Sequence, residues 1–453
     1  MVKKLLFAVF LLYSSFTYAE TIKTDVLVIG GTASGVAAAI QSARSKVKTI
    51  LIMPRQSVEM EMYINIADEI LANLKSTVTT TIISTHTNLS GGIWGEFKDK
   101  VGAFYKTTPG YDTTYNSPLK FEKYAGTAIL KAIADTVKGL TIKTNTPFTA
   151  IKKDGTGWEV SITVNGKTVI IKTKVVIDAT GKGEVIVKAG ATMPTLYNLY
   201  VDKSDLYRTS IAMVDYGVLP KTNAHSDMQI GIIPGYNIPM KYVVVNDVDN
   251  LLATEIALPY PRGGPYLPAQ LQIGQGVGCI AAYCAFFKTT TKNLKPRIIQ
   301  QELLDFKGYL LPFADVKADN KYIRAVQQIG ATGLLKGLHK GNDILFKPDT
   351  IVATAEIQPV LNEIYSRAFI WFNKEKPDQQ FTVGNTLSLI SEFTLTDPKT
   401  LQTTLQKDWQ TQYQFAKPFD TTRPITRLEF AVLVNKFLNP FARRIDLEGN
   451  MVN

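Results

Sequence analysis

"DVLVIGGTASGVAAAIQSA", residues 25–43, decides the fold. Asp25 to Ile29 is rich in Val, Leu and Ile, as a strand buried on both faces of a parallel sheet requires. From Ser34 the small residues suit a helix lying close on such a strand. Gly30-Gly31-Thr32-Ala33-Ser34-Gly35 makes the turn between them. Gly30 permits a tight turn and Gly35 close helix–strand packing, and the helix N-terminus offers backbone N–H groups to a pyrophosphate. Strand, glycine turn and helix in this order predict a dinucleotide site in a Rossmann-like α/β domain. Thr32 stands where G-x-G-x-x-G has the glycine that lets backbone approach phosphate; a threonine still offers its N–H and a hydroxyl. The competing reading is a turn of a doubly wound sheet that binds nothing.

The next strand, "KTILIMP", ends in Met53, where a dinucleotide fold has an Asp or Glu for the ribose hydroxyls. Glu59 and Glu61 follow a few residues later. Residues 149–174 alternate apolar and polar around Asp154-Gly155 and Asn165-Gly166, which predicts a β-meander. It leads into "KTKVVIDATGKGEVIVKAGA", residues 172–191, a second strand running into a glycine turn. Residues 192–250 mix short strand-like runs with Pro and Gly turns. They read as an inserted β-rich substrate region whose tyrosines suit sugars or aromatic molecules.

Taken together, "GGTASGVAAAI", "LSGGIWGEF", "LKFEKYAGTAILKAI", "VIDATGKGE" and "LPAQLQIGQGVGCIAAYCA" resemble the FAD-dependent oxidoreductase family across residues 22–310. The resemblance implies non-covalent FAD, with threonine a common variant at Thr32. It implies that Gly30, Gly31, Thr32, Ala33, Ser34 and Gly35 form the pyrophosphate loop, and that Gly91 and Gly92 lie close to the cofactor. Asp178, Ala179, Thr180 and Gly181 would line the adenosine and pyrophosphate side. Gly274, Gln275 and Gly278 would belong to a helix whose N-terminus faces the flavin, where its dipole stabilises negative charge on the reduced ring. The chain departs from the family at Met53, in a long insertion before Leu89, at Glu255-Ile256 in place of Gly-Arg, and at Pro265 in place of an arginine.

No catalytic residue follows from the sequence. His86 and Glu96 flank "LSGG" and are candidate bases, against the plainer reading of solvated loop residues. Tyr260, Arg262 and Tyr266 sit in the stiff loop "LPYPRGGPYLP", which either lines a substrate pocket or is a rigid connector.

Residues 311–453 read as a small α-helical domain. From Asp315-Val316 onward, and again in "FDTTRPITRLEFAVLVNKFLNPF", the chain resembles S-layer homology repeats: two divergent copies around the linker "NKEKPDQQFTVG". Thr426 and Glu429 form a capping box at a helix start. The resemblance implies Arg427 as an anion contact to cell-envelope polysaccharide; a structural or docking role is the alternative.

The chain has 453 residues and a formal net charge of +11, with Lys and Arg scattered. No nucleic-acid motif accompanies that charge, so it reads as a solvated basic surface. Residues 1–19 have a basic start, an apolar run and small residues before the cleavage point, which predicts a secretory signal peptide and a secreted or periplasmic protein with no anchor after its removal. Cys279 and Cys284 point to different helix faces and read as buried thiols, and the three histidines are far apart, so no metal site is expected. The expectation is therefore an exported FAD-dependent oxidoreductase of a small molecule, with carbohydrate-derived compounds a candidate class. A degenerate flavin fold serving as an envelope-binding or glycan-binding module, and an NAD enzyme on the same fold, are the rivals.

Overall fold

The computed structural model describes residues 20–54, 79–82, 89–112, 119–194, 205–214, 217–221, 229–233, 235–254, 267–341 and 343–452. In chain order the α/β part comprises β1 (Glu20–Lys23), β2 (Val26–Ile29), α1 (Ala33–Arg44), β3 (Thr49–Ile52), β4 (Thr79–Ile82), α2 (Gly92–Tyr105), β5 (Leu119–Glu122), α3 (Lys123–Asp135) and β6 (Leu140–Lys143). It continues with β7 (Phe148–Asp154), β8 (Gly157–Val164), β9 (Lys167–Thr173), β10 (Val175–Asp178), α4 (Glu184–Lys188), β11 (Ser210–Val214), β12 (Gly217–Lys221), β13 (Gln229–Ile233), β14 (Tyr236–Pro239), β15 (Leu251–Ala253), α5 (Leu267–Phe286) and α6 (Pro296–Asp305).

Among these residues the central sheet is parallel, in the order β15-β10-β2-β3-β6. The chain moves from β2 through β3 to β6, then returns to the other side of β2 for β10 and β15. The strand order therefore reverses between β2 and β10, and their last residues, Ile29 and Asp178, are paired. Val26 and Val28 face the helical layer, while Leu27 and Ile29 face the meander with Trp158, Val160 and Ile171. The meander forms as its alternation predicts. Asn165 and Gly166 both have positive φ (50° and 75°), which a two-residue hairpin with the right-handed strand twist requires. β1 adds a parallel edge strand on β9.

α5 is buried nearly all round and lies against α1. A Cβ on Gly274 would stand 2.1 Å from the Ser34 carbonyl oxygen, and one on Gly278 2.6 Å from that of Ala38. On another face a Cβ on Gly276 would meet the Ile211 carbonyl of β11 at 2.5 Å. Glycine is thus what lets α5 fit between α1 and β11. Cys279 and Cys284 are buried free thiols on this helix, and burial pushes the Cys284 thiol up to about 12. The helix is not apolar enough to cross a membrane, nor is any other among the described residues.

The C-terminal region holds α7 (Ile323–Thr332), α8 (Thr354–Ile364), α9 (Ala368–Glu375), α10 (Val383–Thr394), α11 (Pro398–Thr411) and α12 (Arg427–Phe437). The two-repeat expectation is corrected here: three segments, 350–354, 379–383 and 423–427, each leading into a helix (α8, α10 and α12), hydrogen-bond to one another in a ring. Val352 N donates to Ile425 O (3.0 Å), Ile425 N to Phe381 O (2.9 Å), and Phe381 N to Val352 O (2.9 Å), closing a ring. A second ring joins Thr354 N to Gln379 O, Val383 N to Arg423 O, and Arg427 N to Thr350 O. Residues 373–384, read as a linker, thus carry the end of α9 and the start of α10, and Thr382 and Asn385 form the capping box of α10. The capping box of Thr426 and Glu429 is present as expected.

Arg427 also departs from its implied role. Its side chain is 2% exposed; it pairs with Glu356 and donates to the carbonyl oxygens of Phe346 (2.7 Å) and Lys336 (2.6 Å). A guanidinium committed in this way ties α12 to α8 and is not presented to a polysaccharide. The expected boundary at residues 310 and 311 is a packed seam: both backbone N–H groups donate to Gln327 Oε1 at 2.8 Å.

Two glycine variants test the helix crossing. Gly274→Ala forces α1 and α5 apart and is expected to cost about 3 kcal/mol in denaturant unfolding, the scale of core overpacking. Gly102→Ala, in α2 with open space around its Cβ position, is expected to stabilise by about 0.5–1 kcal/mol.

Candidate functional site

In open α/β sheets ligands bind beyond the carboxyl ends of the strands where strand order reverses. Here that point lies between β2 and β10, and it brings together Gly30 to Gly35 and Asp178 to Gly181. Gly30 has φ +120°, its N–H donates to Ile52 O (3.0 Å), and a Cβ there would stand 2.0 Å from Ala179 O. No other residue fits. A Cβ on Gly35 would stand 2.6 Å from Ala179 Cβ, so that residue too is fixed by close approach. Ala179 N donates to Ile29 O (2.8 Å), locking the two turns side by side.

Thr32 has a local reason to be there. It is the N-cap of α1: its hydroxyl accepts from Gly35 N (3.2 Å) and donates to Ala179 O (3.3 Å), with Ser34 Oγ 3.1 Å away. The threonine replaces glycine's close approach with a cap that ties the two turns together, and it occupies the Gly35 N–H. The positive end of α1 faces the strand ends, and no acidic residue lies in its first turn.

The second turn is folded about Asp178. One carboxylate oxygen accepts from Thr180 N (2.9 Å) and Thr180 Oγ1 (2.6 Å), and the other from Val185 N and Ile186 N (3.0 Å each). The residue is 1% exposed; burial pushes its carboxyl up from the ordinary range while the four donors pull against it. Asp178 is thus an anchor that caps α4, and Thr180, half-buried, is the polar side chain at the rim of the turn. Gly181 and Gly183, at φ +78° and +72°, supply the left-handed bends that this strand–turn–helix needs.

The other expected positions lie elsewhere. Gly274, Gln275 and Gly278 lie in the interior of α5 (Leu267–Phe286), beyond its first turn. The glycines are packing contacts to α1. Gln275 is a buried hub whose Oε1 accepts from Ile93 N (3.0 Å) and whose Nε2 donates to Gln41 Oε1 (3.1 Å) and Phe306 O (3.2 Å). Gly92 at φ +57° leaves room for that amide, and Gly91 packs on the Lys307 carbonyl. These residues act on the turn through α1, since Gly274 backs directly onto Ser34. The signal was present in the sequence: glycines spaced by four in an apolar helix mark a close helix crossing.

Glu96 is not placed as a base. It pairs with Arg44 at 2.7 Å, at the opposite end of α1, roughly 17 Å from the turn at 1.5 Å per residue. Met53 is 1% exposed, its N–H donating to Lys143 O, and offers no ribose acceptor. Glu59, Glu61, His86, Glu255, Ile256, Tyr260, Arg262, Pro265, Tyr266 and residues 1–19 lie outside the described residues. A cavity of about 600 Å³ lined by Arg44, Lys46, Lys48 and Lys138 lies at the amino end of the sheet, away from the glycine turn. Among the described residues no cluster of three or more His, Cys, Asp or Glu could hold a metal ion.

Residues 25–195, which contain both turns, match the family model described as FAD dependent oxidoreductase. No curated protein matches the chain. Among solved structures it is similar to a bacillithiol disulfide reductase from Staphylococcus aureus (17% identity over 35% of this chain and 39% of that one, TM-score 0.23). It is also similar to a geranylgeranyl bacteriochlorophyll reductase-like protein from Thermoplasma acidophilum (14% identity, 78% and 99%, TM-score 0.34) and an anhydrotetracycline hydroxylase from Streptomyces rimosus (12%, 63% and 66%, TM-score 0.33). The chain spans about 40% of the length of the bacillithiol reductases that it matches.

Thr32→Ala is expected to lower stability by about 1 kcal/mol, the worth of an N-cap, and Thr32→Gly by only a few tenths. Asp178→Ala leaves four donors without an acceptor and is expected to cost about 3 kcal/mol. Chemical denaturation of the three variants checks all three figures.

Proposed function

We propose that the chain is an exported oxidoreductase that binds FAD non-covalently and acts on a small molecule. The observation that carries this reading is the contact between the two turns at the strand-order reversal, where Gly30 lies against Ala179 with a clearance that no side chain survives. The Gly30–Gly35 turn would hold the pyrophosphate through the α1 dipole and backbone N–H groups such as those of Gly31, Thr32 and Ala33, while the Gly30 and Gly35 N–H groups, bonded to Ile52 and Thr32, shape the turn. Ala179, Thr180 and Gly181 would flank it, with Asp178 fixing their shape. Bound there, FAD would supply the redox chemistry. The chain's own residues orient it, and the apolar floor of β2 and β10 keeps water from beneath it.

Met53 gives the adenosine ribose no carboxylate, so affinity rests on the pyrophosphate contacts. The basic and apolar pattern of residues 1–19 supports export, and the tyrosines of residues 192–250 suit a carbohydrate-derived substrate. The rival reading, an envelope-binding module built on S-layer-like repeats, relied on Arg427 as an anion contact. With that guanidinium held by Glu356 and two carbonyls, the rival has lost its named contact.

The test is the visible spectrum and thermal unfolding of the purified chain with added FAD. Retention of the flavin absorption bands on desalting is expected. FAD at about 100 times its dissociation constant should add about 2.7 kcal/mol of stability. A protein that retains no flavin and does not shift is not a flavoenzyme.

A further inference from the structure

A helical module tethered to an enzyme is joined to it by an exposed, polar linker with few contacts across it. The C-terminal unit of this chain is joined differently. Arg208, just before β11, is 2% exposed and forms a bidentate pair with Glu363 of α8, 2.7 Å on each arm; it also donates to the Gly449 carbonyl (3.2 Å). The same guanidinium holds the Glu363 carboxyl below its ordinary range. Arg297 of α6 is buried, and among the described residues no carboxylate pairs with it. It donates to the carbonyl oxygens of Arg208 (3.2 Å) and Ala331 (3.3 Å), and its guanidinium stands 4.4 Å over the Phe441 ring. Gln300 binds the Arg208 and Ser210 carbonyls, and Ser210 Oγ donates to Leu310 O.

Glu363, Arg297 and Gln300 thus converge on residues 208–210, the entry to β11. From there the contacts are backbone-close: Ile211 against Gly276 of α5, then Gly274 and Gly278 against α1, whose first residues are the glycine turn. We infer that the C-terminal helical unit is a brace for the α1–α5 helix pair, with Glu363 as a positioning residue for the glycine turn. Arg208 is buried while Glu363 is 39% exposed, so it is loss of the carboxylate that strands a charge in the interior, at Arg208, and is passed to β11. The brace is independent of whether a flavin occupies the turn.

Hydrogen exchange with mass spectrometry on the full chain tests it, comparing wild type, Glu363→Gln, and Arg367→Ala. The last removes an exposed pair with Glu392 in the same unit. In Glu363→Gln, exchange is expected to be at least tenfold faster in α8 and also in α1 and α5, with the β7–β9 meander unchanged. Arg367→Ala should leave all of these as in wild type. Acceleration confined to residues 323–452 would make the unit a separate module and overturn the inference. Equal acceleration that includes β7–β9 would be global destabilisation and would also overturn it, as would no change anywhere. If Glu363→Gln is not recovered folded, Glu363→Asp keeps the charge on a shorter arm and is read by the same criteria.

Discussion

The crossing of α1 and α5 is the constraint on which the rest of the structure depends. Two helices approach this closely only when one has no side chains at the contact, and Gly274 and Gly278 provide that. Dispersion and burial then hold α1 against the sheet at a fixed depth. Because α1 begins at the glycine turn, its depth sets where the turn's N–H groups stand. Gln275 adds the polar part of the same joint, linking the start of α2, the middle of α1 and the end of α6 by hydrogen bonds that water cannot reach.

Around that joint the chain places two turns of different sequence and matched form. One is capped by a threonine hydroxyl and the other by a buried carboxylate, and each spends its side-chain oxygens on its own helix. What is left at the carboxyl end of the sheet is backbone and the positive end of a helix, the Thr180 hydroxyl being committed to Asp178 and the Glu184 N–H. That surface suits the pyrophosphate of a dinucleotide, and it depends on interactions far from it: α5 behind α1, β11 behind α5, and the C-terminal unit behind β11.

Much of this was legible in residues 25–43 and 172–191, because a glycine turn between an apolar strand and a small-residue helix has few other solutions. The meander and its Asn165-Gly166 turn were equally local. Contacts between segments distant in sequence were not legible. Gly274 and Gly278 match a family motif, yet their partners are Ser34 and Ala38, more than two hundred residues away. The middle segment of the ring was missed because the helix it leads into lacks a repeat-like pattern; Thr382 and Asn385, at the spacing of Thr426 and Glu429, were the available signal. Arg427 was misjudged because a sequence does not say which face of a helix start is covered, and here α8 and the Phe346 segment cover it.

The most direct measurement is a crystal structure of the full chain grown with FAD. The account predicts the pyrophosphate between the Gly30–Gly35 turn and Thr180, within hydrogen-bond distance of backbone N–H groups at the start of α1, with α5 in place behind it. FAD bound elsewhere, for example in the basic cavity lined by Arg44, Lys46, Lys48 and Lys138, would contradict it, as would an empty turn in crystals of a protein saturated with FAD.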